Sequence, residues 1–171
     1  MTMTTSKIYT LKGEIEDIDI TYNGLPIFRK ITNSAVEIEI SRRLMQRPHT
    51  NIVNIYEVTS NYIDMELLDT NICNFSKDAI NTIMASVKQH LQDLGIIYID
   101  WKSDNIGVGS DGELKLFDFD VSGIIDVATN IWIMKPVQYY AYNKAVESGM
   151  KTAKEIDDYS LINMYPNVNN K

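Results

Sequence analysis

The sequence predicts an α+β chain in two lobes, with a strand-rich N-terminal part carrying one helix and a more helical C-terminal part. Three observations carry that expectation. Apolar residues in the first third fall in short runs separated by turn residues. Between Ser34 and Gln46 the apolar spacing changes to four, which is helical. The longest amphipathic stretch, Asp78 to Leu94, comes only after the last paired runs. At 171 residues the chain is long enough for one domain with a sizeable core.

Taken in order, Ile15, Ile18 and Ile20 lie among acidic residues, and Tyr22-Asn23-Gly24 then interrupts them. Asn-Gly between apolar runs signals a hairpin, because both turn positions need positive φ. Leu25 to Ile31 is the returning strand, and Lys12-Gly13-Glu14 suggests an earlier tight turn. Val36, Ile40 and Leu44 define a first helix that Asn33 or Ser34 can cap and Pro48 ends. Ile52 to Val58 and Tyr62 to Leu68, separated by Ser60-Asn61, read as paired strands. In the second helix Ile80, Ile83, Val87, Leu91 and Leu94 share a face, and Gly95 stops it. Ile96 to Ile99 and Leu114 to Phe117 read as short strands around a loop, and Ile156 to Met164 as a last helix closed by Pro166.

Composition narrows the function. The net charge is -7, and the pI near 4.8 argues against a broad nucleic-acid surface, which needs clustered Lys and Arg. One cysteine, Cys73, excludes an internal disulfide and a Cys-based zinc cage, and two histidines, His49 and His90, argue against a multi-histidine metal site. No apolar run approaches the ~20 residues of a bilayer span, and the N-terminus has no signal pattern. The expectation is an intracellular, cytoplasmic protein with no nucleic-acid or membrane partner. Abundant Ile and Asn suggest an AT-rich source, such as a large DNA virus or a reduced genome.

The segment from Gly95 to Asp120 carries the chemistry. Asp100 is followed by Lys102 and Asn105, and Asp118 ends the next apolar run. Phosphoryl transfer needs such parts. A carboxylate orients the attacking hydroxyl, a cation neutralises the moving phosphoryl, and oxygen donors hold Mg²⁺. With Gly95-Ile-x-x-x-Asp100-x-Lys102-x-x-Asn105 and Lys115-Leu-x-Asp118-Phe119, the chain resembles the eukaryotic-type protein kinase superfamily in its catalytic and metal loops. Other segments follow in the order of that family. Ile27-Phe28-Arg29-Lys30 resembles the strand with the ATP-contacting lysine, and Glu37 to Leu44 resembles the regulatory helix. His49 to Val58 resembles the segment after it. Met65-Glu66-Leu67-Leu68 falls where gatekeeper and hinge belong. Lys135 to Tyr142 resembles the end of an activation segment, and Asp157 to Leu161 the helix beneath the catalytic loop.

The resemblance implies an N-lobe over 7–66, a shortened C-lobe over 67–165 and a tail over 166–171. It implies ATP and Mg²⁺ as cofactors and a protein hydroxyl as acceptor, Lys102 favouring the Ser/Thr type. Asp100 and Lys102 would be catalytic, and Asn105 and Asp118 would bind the metal. Lys30, paired with Glu37 rather than Glu39, would contact the nucleotide together with Phe28, Met65, Glu66 and Leu67. Taken singly, each Asp or Asn is an ordinary turn residue; the spacing together is what argues for a site.

Departures from the pattern bear on activity. Gly13 is the sole glycine between Ile8 and Tyr22, so no glycine-rich phosphate loop is present there. Phe28 replaces the usual alanine and should narrow the adenine pocket or stack on the base. Tyr98-Ile99 replaces His-Arg, which leaves an activation-loop phosphate without its arginine. Asp120 replaces a glycine, at a cost if positive φ is needed there, and offers a further carboxylate near the metal. The late C-lobe helices have no counterpart, so an oligomer or a partner chain is expected to complete the substrate side. A pseudokinase scaffold and a small-molecule kinase of the RIO or aminoglycoside type are the alternatives.

Overall fold

A computed structural model describes the backbone of residues 6–9, 15–18 and 25–164 and the side chains of residues 25–163. The fold is α+β, with small sheets and four helices among the described residues, consistent with a kinase-like fold.

The N-terminal part is built on β1 (Ser6–Tyr9), β2 (Ile15–Ile18), β3 (Ile27–Ile31), β4 (Ile55–Val58) and β5 (Tyr62–Glu66). They form one sheet in the order β2-β1-β3-β5-β4. β3 lies parallel to β1 and does not pair with β2. The hairpin expected across Asn23-Gly24 is therefore corrected: the strands flanking it are not neighbours. Asn23-Gly24 and Lys12-Gly13-Glu14 themselves lie outside the described residues. The β3–β5 register sets Phe28 opposite Met65 and Lys30 opposite Ile63, so Phe28 and Lys30 share one face. Arg29 points to the other face, where its guanidinium grips Asp64 through two bonds of 2.7 and 2.9 Å.

Helix α1 (Ala35–Gln46) begins where Ser34, not Asn33, accepts the Glu37 N–H on its hydroxyl. Its end is fastened elsewhere, because Arg43 donates to the Leu94 carbonyl at 2.9 Å. Helix α2 (Lys77–Asp93) is capped by Ser76 and buries Ile80, Met84, Val87 and Leu91. Gly95 follows at φ 74°, the left-handed value that ends a helix cheaply only for glycine.

Beyond α2 come β6 (Ile96–Ile97), β7 (Ile106–Val108), β8 (Leu114–Leu116), β9 (Gly123–Asp126) and β10 (Ile131–Met134), then α3 (Tyr140–Glu147) and α4 (Ala153–Met164). β7 and β8 form a hairpin, whereas β6 pairs with β9, which pairs with β10. The two runs read from sequence around the catalytic loop thus belong to different sheets. The main core runs without a break from Ile40, Ile63 and Met65 through Met84 and Leu91 to Tyr98, Phe119 and Leu161. Continuous apolar packing of that kind joins the two parts more firmly than a flexible linker would.

Candidate active site

The site lies where β3, α1 and the loops after β6 and β8 meet. Lys30 reaches Glu37 Oε1 at 2.8 Å and Asp118 Oδ1 at 2.8 Å. One ammonium thus ties the sheet, the helix and the loop after β8 together. Glu39 is engaged differently, holding Arg43 at 2.9 Å on the helix surface. Burial opposes the charge on Lys30, but its bonds to Asp118 and Glu37 outweigh that and raise its pKa. Burial lifts Glu37 above the usual carboxylate range despite Lys30. Burial also works to raise Asp118, yet Lys30 and the adjoining Asp120 hold it below its ordinary value. Asp120 moves the other way, raised by burial and by the charge of Asp118.

A cleft of about 140 Å³ opens beside this triad. Phe28, Val53, Ile55, Met65, Phe117 and Phe119 give it apolar walls, and Lys30, Glu37, Asp118 and Asp120 stand along its polar side. An apolar slot with a few convergent charges suits a planar base joined to an anionic chain. Of the expected nucleotide contacts, Phe28 and Met65 line it. Glu66 and Leu67 are not among its lining residues: the Glu66 carboxylate turns to Lys115 at 3.0 Å, and the Leu67 main-chain N–H is taken by Pro26 O.

Asp100 is buried within its own loop. Its Oδ2 accepts from Asn105 Nδ2 at 3.0 Å and from Lys102 Nζ at 3.0 Å. Asn105 Nδ2 also donates to the Asp100 carbonyl at 3.0 Å, which leaves the amide oxygen as the end that can serve a cation. Burial opposes the Lys102 charge, and Asp100 restores and exceeds it. The charge of Asp118 also bears on Lys102, and that of Asp100 on Asp120, so the two loops act on one region. Backbone joins them as well, Phe117 N–H donating to Asn105 O at 3.0 Å.

Backbone strain concentrates here. Ile99 and Asp118 adopt φ of 68° and 65°, values that L-residues rarely take. Asp118 is the residue in the left-handed region, not Asp120. The expected backbone cost of replacing glycine at 120 is therefore corrected, and Asp is one of the L-residues that tolerates such a φ. Sequence reasoning assigned no role to Trp101 or Asp157. Asp157 is fully buried and accepts from Ile99 N–H at 2.9 Å and from Trp101 Nε1 at 2.7 Å. The available signal was a tryptophan inside an apolar segment, whose N–H needs a partner once buried.

The donors suit Mg²⁺: an amide oxygen and a carboxylate, both hard ligands. Among the described residues no group of three or more His, Cys, Asp or Glu could hold a metal by itself. Among the described residues no helix is long and apolar enough to cross a membrane.

Comparison with known proteins points the same way. The chain is 31% identical over 108 residues to the stress-activated protein kinase JNK of Suberites domuncula, covering 58% of the chain and 30% of that protein. It is 30% identical over 118 residues to the JNK of Drosophila melanogaster, with 63% of the chain and 31% of that protein covered. Against jnk-1 of Caenorhabditis elegans it is 30% identical over 133 residues, covering 66% of the chain and 28% of that protein. The similarity relates the chain to the protein kinase superfamily. The matched region spans under a third of the length of these relatives. No family model matches.

Proposed function

We propose that the chain is an ATP- and Mg²⁺-dependent phosphotransferase that moves the γ-phosphoryl group to a Ser or Thr hydroxyl of a protein. The observation that carries this reading is Lys30 bridging Glu37 and Asp118 at 2.8 Å each, on the wall of an apolar cleft. Lys30 neutralises the nucleotide phosphates, and Glu37 holds its ammonium in place. Asp100 orients the acceptor hydroxyl and takes its proton. Lys102, half-exposed beside Asp100, offsets charge on the transferring phosphoryl group. Asn105 and Asp118 are the residues that would hold the ion, which when bound neutralises the phosphate chain. Met65 and Phe28 flank the base. The acceptor is a protein in the cytoplasm.

Incubation with Mg²⁺ and labelled ATP tests the reading. Asp100→Asn should lower transfer by about 10²–10⁴-fold without lowering the melting temperature. Equal labelling by both forms, or none by either across a broad substrate panel, overturns it. Phe28 in so small a cleft favours one second reading, a scaffold that keeps the fold without turnover. Absence of thermal stabilisation by Mg²⁺ and ATP would select it.

A further inference from the structure

We propose that Trp101 is a positioning residue for Asp100, acting through a hydrogen bond from its indole to the buried carboxylate of Asp157. The proposal rests on the reading of Asp100 as the group that receives the hydroxyl proton.

Asp100 sits in an improbable stretch of backbone. Its N–H donates to Tyr98 O at 2.8 Å, and the Trp101 N–H donates to Ile99 O at 2.8 Å. These are two successive three-residue turns, and the first has a β-branched residue at φ 68° in its centre. That sense of the turn is rare and strained. Something outside the loop must hold it. Asp157 does so from α4, taking the Ile99 N–H before Asp100 and the Trp101 Nε1–H after it on the same oxygen, Oδ1. Gln92 from α2 fills Oδ2 at 3.0 Å. The carboxylate therefore grips the loop on both sides of Asp100.

The indole does a second thing. Its ring lies 4.7 Å from that of Tyr98, tilted by 58°, and Tyr98 meets Phe119 edge-on at 5.3 Å. The Tyr98 hydroxyl donates to Phe117 O at 2.6 Å. Trp101 thus links the loop bearing Asp100 to the loop bearing Asp118 through packed rings and one short bond. Aromatic contacts of this geometry add to burial and fix ring orientation. A side chain that only filled space would not need its N–H aimed at a buried charge 2.7 Å away.

The test separates this role from packing and from the kinase reading itself. Trp101→Phe keeps a ring against Tyr98 and removes the donor. 3-Benzothienylalanine at 101 keeps the full shape, with sulfur in place of N–H, and serves if the Phe variant unfolds. Two readouts are taken on each. The side-chain amide resonances of Asn105, which bonds Asp100 directly, report the placement of Asp100 without any turnover. Steady-state transfer from ATP gives the kinetic split: kcat should fall about 10- to 100-fold while KM for ATP stays within about twofold. Shifted Asn105 resonances with lowered kcat support the proposal. Unmoved resonances with unchanged kcat overturn it. If the unmodified protein transfers no phosphate, the functional reading fails separately, and the Asn105 resonances alone decide the role of Trp101.

Discussion

Lys115 offers the sharpest test of how the cleft edge is built. Its ammonium lies 3.0 Å from Glu66 Oε2 and 3.0 Å from Asp111 Oδ2, with side-chain exposures of 2% for Lys115, 6% for Glu66 and 48% for Asp111. Only Glu66 shares its burial. Lys115→Met keeps much of the apolar stem and leaves the Glu66 carboxylate buried without its cation. An uncompensated buried charge costs about 3–5 kcal/mol, whereas the exposed Asp111 contact contributes below about 1 kcal/mol. At about 2–4 °C per kcal/mol for a chain of this size, the melting temperature should fall by about 6–20 °C. Lys115→Met with Glu66→Met removes both charges, and should recover at least about 2 kcal/mol of the loss. Urea unfolding of the four proteins of the cycle, with midpoint and slope fitted together, measures it. A single variant within about 1 kcal/mol of the parent, or a double variant as poor as the sum of the singles, would refute the reasoning.

The remaining predictions concern strain, titration and the cleft. Gly95→Ala should destabilise by about 2–4 kcal/mol, because it meets φ 74° and its new Cβ would sit 2.6 Å from the Ile125 carbonyl. Gly112→Ala, at φ 80° with open space, should cost only about 1–2 kcal/mol, and denaturant melts of the pair separate clash from backbone. Burial raises the Asp157 pKa above its reference of 3.8, although Ile99, Gln92 and Trp101 oppose the shift. The folded state therefore keeps that proton longer than the unfolded state. Its stabilisation is complete below the unfolded pKa and is lost as pH rises through the folded one. The stability of the parent relative to Asp157→Asn should accordingly decline as pH rises from about 4 and then level off, read by urea melts across pH. Phe28→Ala should widen the cleft and tighten Mg²⁺–ATP binding about tenfold by calorimetry; weaker binding would show that the ring stacks on the base.

Local rules made much of the framework legible. Ser34 and Gly95 mark helix ends by their own chemistry, and the apolar spacings of α1 and α2 follow from burial on one face, whereas the Ser76 cap of α2 was not read from the sequence. The polar site residues were legible as a spacing: Asp100, Lys102 and Asp118 stand in loops between apolar strands, and Asn105 ends the short 3-10 turn Ser103–Asn105. Pairing partners were not. β6 turns to β9 rather than β8, a tertiary choice that two residues, Ile96 and Ile97, cannot announce. The short segments β9, β10 and α3 were missed for a related reason. Ile131 and Ile133 of β10 face solvent, so the strand lacks the inward apolar pattern that reveals a half-buried one. Glu66 and Leu67 read as cleft residues by position, but the demand of buried Lys115 for a counter-charge turned Glu66 away.

The departures at positions 98, 99 and 120 look, one at a time, like losses. In the fold they compensate one another. A tyrosine at 98 reaches the Phe117 carbonyl and meets Phe119 edge-on, so the two loops remain coupled. An isoleucine at 99 brings no charge, but its N–H remains available to Asp157, and its strained φ is held from both sides. The tryptophan at 101 adds a donor to that carboxylate which leucine or any other apolar residue would lack. Asp120 crowds a second carboxylate beside Asp118, and Lys30 keeps Asp118 ionised there. Asp157, Tyr98 and Lys30 thus brace the two strained residues, Ile99 and Asp118, as one connected unit.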